Sequence, residues 1–337
     1  MARCDRANPD SRNFGLGSRD MGYAGRSALR EGMQSHSSIA TMADRWGQFA
    51  SWAREEAGIR DMRHIETATL RGYAAHLIAR LEQGEISPAT AQNALSAVNR
   101  VMEIARGDRA VRLDPVREAG LPTRSGIATT DHAVPVSQHD TAVAAVSERV
   151  GALLSLQRSL GLRFEEAAKL DAQRALAQAE RHGQIRIEDG TKGGLVRQVP
   201  CQSPAQHHAL AQAAAQQEGR SLIPPSMSYK DFRTAAYSEL RSAGIRSHGE
   251  RHAYAQGRYE TLVGAPAPVA AGIGHGADHH RFLAAQLGIE VAAARELDLQ
   301  LTEFVGDPNN PLPTPGVAAG KNTLLSMLPE SVQGAAS

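Results

Sequence analysis

Ile39, Met42, Trp46, Phe49 and Trp52 recur every three or four positions, as do Leu70, Tyr73, Leu77 and Leu81, and then Leu95, Val98, Met102 and Ala105. Each series lays its apolar side chains along one stripe of a helix, so three amphipathic helices are predicted between residues 36 and 119. The third opens on "SPAT", with Ser87 at the N-cap and Pro88 at the first helical position, where its missing N–H costs nothing. Residues 1–35 are rich in Gly, Ser and Arg with little periodicity and read as a flexible arm. The stretch "GLPTRSGIATTDHAVPV" (120–136) has loop composition and reads as a linker.

A second domain is predicted over 137–306. Val143, Val146, Val150 and Leu153 give one helix that stops near Gly161, and "LRFEEAAKLD" starts a short one. "QIRIEDGTKGGLVRQVP" holds two short β-like runs around a Gly-rich turn, the signature of a hairpin. Helices follow at "SPAQHHALAQAAAQQ", at "SYKDFRTAAYSELRSAG", which Gly244 stops, and at "SHGERHAYAQGRYE". "GDPNNPLPTPGVAAG" marks residues 307–337 as a disordered tail. The expected fold is mainly α with one small β-hairpin.

Composition narrows the function. Two cysteines, Cys4 and Cys201, make neither a disulfide framework nor a cysteine zinc site and fit a reducing cytoplasm. No apolar run approaches the ~20 residues of a membrane span, and the polar N-terminus does not read as a signal peptide. A net charge of +1 does not announce a nucleic-acid partner, so DNA binding would rest on local basic patches. Arginine dominates those patches; lysine occurs only at 169, 192, 230 and 321. Arg12, Arg19, Arg26 and Arg30 are candidate phosphate contacts of the N-terminal arm.

The densest chemistry lies in "SHGERHAYA", where His248, Arg251 and His252 share one helix face. Ser247 followed by Glu250 three residues on predicts a capping box and a helix starting at His248. A helix start attracts anions, and Arg251 adds a two-pronged fork suited to phosphate. A zinc-protease site would need a glutamate directly after the first histidine, where Gly249 stands, and two histidines leave zinc short of ligands. Zinc hydrolysis is therefore a remote alternative, and no metal or cofactor is expected. "GHGADHH", with His275, His279 and His280, reads as a polar loop or helix end.

Together these segments resemble the tyrosine recombinase (phage integrase) superfamily. "SHGERHAYA" is similar to its His-x-x-Arg-His box, "SLGLRFEEAAKLD" to its first arginine box with Arg163 in place, and "DGTKGGLVRQVP" to the hairpin that carries its catalytic lysine, here Lys192. "SRNFGLGSRDMG" resembles an opening found in integrase-like proteins of prophages and mobile elements. The resemblance covers roughly residues 10–305. It implies a helical, SAM-like core-binding domain followed by an α/β catalytic-type domain, the two closing around duplex DNA. Arg163 and Arg251 would clamp the scissile phosphate, Lys192 would protonate the leaving 5′ oxygen, His248 would assist as proton shuttle, and His252 would support it. Taken alone, Arg163 also fits an ion pair with Glu165 or Glu166, and Lys192 a solvated turn.

The pattern breaks at the nucleophile. Tyrosines stand at 23, 73, 229, 237, 254 and 259, and none follows Tyr259. Counting from His275, the expected tyrosine position holds Ala284. Aligning "ARELDLQLTEFVG" instead puts Asp298 or Leu299 at the second histidine and Phe304 near the tyrosine. Neither Ala284 nor Phe304 offers a hydroxyl to attack phosphorus. Tyr254 and Tyr259 lie on the same helix as Arg251 and read as packing residues. The expectation is a degenerate recombinase that binds double-stranded DNA in the cytoplasm, at the nucleoid, as a regulatory or architectural factor of a mobile element. Self-association on DNA or an active recombinase would supply its partners. The alternative is an active site-specific recombinase whose nucleophile is Tyr259 or comes from a partner.

Overall fold

The computed structural model describes residues 10–124 and 128–306, the last eight of these in backbone only. It is mainly helical with a single two-stranded sheet among the described residues, and it divides into two compact units, Met1–Gly126 and Ile127–Ser337. No helix among the described residues is long and apolar enough to cross a membrane.

The first unit packs four helices, α1 (Met21–Gly32), α2 (His36–Glu55), α3 (Thr67–Glu82) and α4 (Pro88–Arg106). The apolar stripes meet in a core of Trp46, Phe49, Leu70, Tyr73, Leu77, Leu95, Val98 and Met102. Phe49 and Tyr73 sit edge to face with ring centroids 5.0 Å apart. Ser87 caps α4 as its sequence predicts, its Oγ accepting the Thr90 N–H at 3.2 Å.

The described part of the N-terminal segment is not a flexible arm. Asp20 caps α1 by accepting the Tyr23 N–H at 2.7 Å, and Met21, Ala24, Gly25, Ala28 and Leu29 are buried against the core. These positions keep a helical period, but their residues are small, so composition hides the stripe. Trp46 Nε1 donates to the Met21 carbonyl at 2.9 Å, tying α1 to α2. Ahead of α1, buried Asn13 donates its N–H to Asp61 Oδ1 (2.9 Å) and its own Oδ1 accepts the Met62 N–H (2.9 Å). Burial alone would raise the Asp61 carboxyl. Hydrogen bonds from Arg63 and the Asn13 N–H reverse this and hold it far below the usual carboxylate range.

The second unit builds around α6 (Glu148–Leu160), preceded by α5 (Val136–Ala145). The single helix expected through Val143 and Leu153 is broken between them. Ser147 takes an extended conformation there, its N–H donating to Glu239 Oε2 at 2.8 Å. Next come α7 (Phe164–Lys169) and α8 (Ala172–His182), the latter without an expectation from the sequence. The hairpin follows as β1 (Gln184–Ile187) and antiparallel β2 (Arg197–Pro200), Ile185 opposite Val199. Then α9 (Pro204–Ala215), α10 (Tyr229–Ser242), α11 (His248–Val263), α12 (Ala277–Leu287) and α13 (Val291–Gly306) complete the unit. Leu153, Leu154 and Leu156 meet Ile185, Leu210, Leu222 and Phe232 in its main core. A smaller core joins Val263, Leu283, Ala284, Leu287 and Leu297, with Tyr259 packed against it. The tail read as disordered, 307–337, lies outside the described residues.

Candidate nucleic-acid interface

The start of α11 differs from its sequence signature. Ser247 is itself helical and its side chain makes no capping bond. Glu250 turns inward instead, fully buried, where its carboxylate accepts from Arg158 Nη1 at 2.8 Å and pairs with His139 Nδ1 at 2.9 Å. A buried carboxylate is stabilised more by these two partners than by reaching back to one backbone N–H, so no capping box forms. The Gly249 and Glu250 N–H groups bond back to the Arg246 and Ser247 carbonyls. Positive potential here therefore comes chiefly from side chains.

Those side chains converge from three elements. Gly161 ends α6 in the left-handed region (φ +62), and its carbonyl accepts a hydrogen bond from Arg251 Nη1. The Tyr254 ring lies over the same glycine, so closely that a Cβ there would stand 2.3 Å from Tyr254 Cδ1. Two residues on, Arg163 opens α7 and donates Nη1 to Glu166 Oε1 at 2.7 Å, while Glu166 Oε2 accepts the Arg163 backbone N–H at 2.7 Å. Arg197, from β2, grips the same carboxylate with two N–H groups, one at 2.8 Å. Burial would raise the Glu166 carboxyl, but hydrogen bonds from Arg197 and Arg163 outweigh it and leave the group below its ordinary value. Burial, then the charges of Arg163 and Arg197, push the Arg251 guanidinium down. Arg163 and Arg197 thus share one buried carboxylate, and Arg251 beside them has no ion pair among the described residues. The Arg163 side chain stays 42 % exposed despite its pairing, so an external anion can reach it.

His248 and His252 stand beside this cluster, edge to face with ring centroids 4.9 Å apart. Burial, and then the neighbouring His252, Arg251 and Arg163 charges, lower the His248 pKa. Lys192 does not join them. It sits on the exposed turn of the hairpin, and among the described residues its ammonium makes no hydrogen bond or ion pair. Arg12, Arg19, Arg26 and Arg30 belong to the first unit. All four are exposed, and Arg12 Nη2 donates to the Arg60 carbonyl at 3.0 Å.

Sequence reasoning missed Arg197, while the ion pair of Arg163 with Glu166 is one of the two pairings it offered. It also passed over Lys230, Arg233, Tyr237 and Arg241, spaced 3, 4 and 4 residues apart and all exposed on α10. Tyr237 stacks on Phe164 at 4.8 Å, and the Arg233 guanidinium lies 5.9 Å from its ring centroid. The spacing was available as a signal: a basic stripe with an aromatic suits a nucleic-acid backbone.

The expected tyrosine positions face elsewhere. Ala284 is buried in the smaller core, and the Phe304 side chain lies outside the described residues. Tyr259 shares a hydrogen bond with His279 Nε2 at 3.0 Å, and burial with the Asp298 charge raises its pKa well above the usual phenol. Asp298 meets Nε2 of both His279 (3.2 Å) and His280 (3.1 Å). These bonds bind the first turn of α12 to α13, which is the role His279 and His280 of "GHGADHH" take.

Residues 121–257 match the family model described as Integrase, a span that contains every member of the arginine–histidine cluster. That segment, less than half of the chain, is similar to the integrase family. Among solved structures the chain is similar to a lambda integrase dimer bound to a COC′ core site, at 12% identity and TM-score 0.48, over 77% of this chain and 94% of that one. It is also similar to the Tn1549 transposon integrase in complex with circular intermediate DNA, at 13% identity and TM-score 0.47, over 80% and 95%. XerH recombinase bound to difH substrate matches at 15% identity and TM-score 0.44, over 84% and 83%. No curated protein matches the sequence.

Proposed function

We propose that this chain binds double-stranded DNA by its backbone phosphates and does not cut it, serving as a regulatory or architectural factor of a mobile element at the nucleoid. The observation that carries this reading is the surplus of guanidinium groups around Glu166. Arg163 and Arg197 hold one carboxylate between them while Arg251 beside them is unpaired among the described residues, and a phosphate would supply the missing negative charge. His248, held toward its neutral form, has an N–H to donate to the same anion. The stripe on α10 and the exposed arginines of α1 would add phosphate contacts and, by counterion release, affinity that falls steeply with salt. No metal or cofactor is needed for this role, and copies of the chain would associate on the DNA.

The absence of cutting follows from Tyr259. Its hydroxyl is shared with a buried histidine and its proton is hard to remove, the opposite of an activated nucleophile. A second reading, an active recombinase with Tyr259 or a partner's tyrosine, has one observation in its favour: Arg163, Lys192, His248 and Arg251 are all present, more than DNA binding requires. The test of DNA binding is a gel shift with a duplex carrying the element's own end sequence, repeated at rising salt. A complex that weakens steeply with salt is expected. No complex at low salt would overturn the proposal.

A further inference from the structure

We propose that His132, which precedes α5, is a third imidazole of this anion site and donates a hydrogen bond to the bound phosphate; this rests on reading the arginine cluster as a phosphate site. The His132 ring centroid lies 5.8 Å from that of His252, which in turn lies 4.9 Å from His248. His252 thus neighbours both other rings, and His132 and His248 are both exposed, so the three imidazoles are open to solvent on either side of it.

The segment that carries His132 is fixed in place. Asp131 Oδ1 accepts the Ala133 N–H at 2.8 Å and the Gln256 side-chain amide at 2.7 Å, so it closes a turn around His132 and ties that turn to α11. The Val134 N–H donates to the Gly249 carbonyl at 3.2 Å, and the Val134 carbonyl accepts from Arg158 Nη1 at 3.0 Å. Gly249 makes the approach possible. A Cβ there would stand 2.7 Å from the His132 carbonyl oxygen and 2.7 Å from Val134 Cγ2. The glycine that stands where a zinc protease would have its glutamate is thus what lets residues 132–134 lie against the first turn of α11.

The His132 imidazole itself makes no hydrogen bond or ion pair among the described residues. Neutral or charged, it has an N–H to donate. The carboxylates near it are engaged elsewhere, Asp131 by Gln256 and Glu250 by Arg158 and His139. Asp131 keeps its charge, but its bonded oxygen faces the Ala133 N–H and the Gln256 amide, which leaves the His132 N–H to an outside acceptor.

The experiment is a titration of the full-length, histidine-labelled protein with inorganic phosphate at constant pH and ionic strength, followed by NMR of the imidazole Cε1–Hε1 pairs. The resonances of His132, His248 and His252 are expected to move along one binding curve while His76 stays still. His132→Ala should weaken phosphate binding about tenfold, the contribution of one charge-assisted hydrogen bond, and His132→Gln should recover part of it. A stationary His132 beside moving His248 and His252, or unchanged affinity in His132→Ala, would overturn the inference alone. If none of the three moves, the phosphate site fails with it.

Discussion

Two clusters on α11, one at each end, use similar side chains for opposite ends. At the first turn, His248, Arg251 and His252 join Arg163 and Arg197, and the guanidinium groups outnumber the acid that holds them. At the last turns, Tyr259 meets His279, and His279 and His280 share Asp298. There Tyr259, both histidines and Asp298 bond to one another in a buried core, with only His279 Nδ1 among the buried atoms of this cluster left without a partner among the described residues, whereas at the first turn donors are left over at a surface. Residue type does not separate a binding site from a structural latch; the balance of donors and acceptors does. A tyrosine whose hydroxyl is already engaged and whose proton is held by burial is not activated for attack by its neighbours.

The comparison breaks most severely if its anchor is removed. Glu166→Ala leaves Arg163 and Arg197 without their buried counter-charge and should cost about 3–5 kcal/mol, read from urea denaturation. A cost below about 1 kcal/mol, the scale of an exposed pair, would mean that the carboxylate does not organise the site. Next in size, Arg251→Ala should lower DNA affinity about 10- to 100-fold, as expected for a charged hydrogen bond lost from a phosphate. Tyr259→Phe should leave that affinity unchanged. Equal effects of the two substitutions on DNA binding would erase the distinction between the ends of α11.

Tyr259→Phe should act on stability instead, lowering it by about 1 kcal/mol through the lost bond to His279, measured as a shift in denaturation midpoint. The smallest effect concerns pH. Burial holds the His279 pKa below 6.5, with His275 and His280 adding to the depression and Asp298 opposing it. The unfolded chain therefore takes up a proton at a higher pH than the folded one. The stability that His279 contributes is complete above pH 6.5 and is lost as pH falls from there toward the folded pKa. His279→Gln should flatten the fall in thermal midpoint between about pH 7.5 and 5.5, whereas His248→Gln, at a position less buried than His279, should change it less.

Much of the fold could be read from the chain because large apolar residues kept a clean period, as in α2, α3 and α4, and because Gly193 and Gly194 mark the hairpin turn. What escaped were helices whose buried faces are small. The stripe of α1 runs through Ala24, Gly25 and Ala28, and that of α8 through Ala172, Ala175 and Ala179, too little contrast for periodicity to register. The spacing in "SHGERHAYA" put His248, Arg251 and His252 on one face, but the meeting with Arg163 depends on the turn at Gly161. Arg197 and His132 reach the site through a strand register and a glycine contact, neither of which local pattern encodes. The capping box failed for a related reason. Ser247 and Glu250 are correctly spaced, yet Arg158 and His139, about a hundred residues away, offer Glu250 stronger partners.

The most direct test of gripping without cutting is covalent trapping on a nicked suicide duplex carrying the element's own end sequence, resolved on a denaturing gel. The account expects a complex that shifts on a native gel, weakens with salt, and leaves no protein-linked DNA after denaturation. A covalent band would contradict it, and loss of that band in Tyr259→Phe would make Tyr259 the nucleophile.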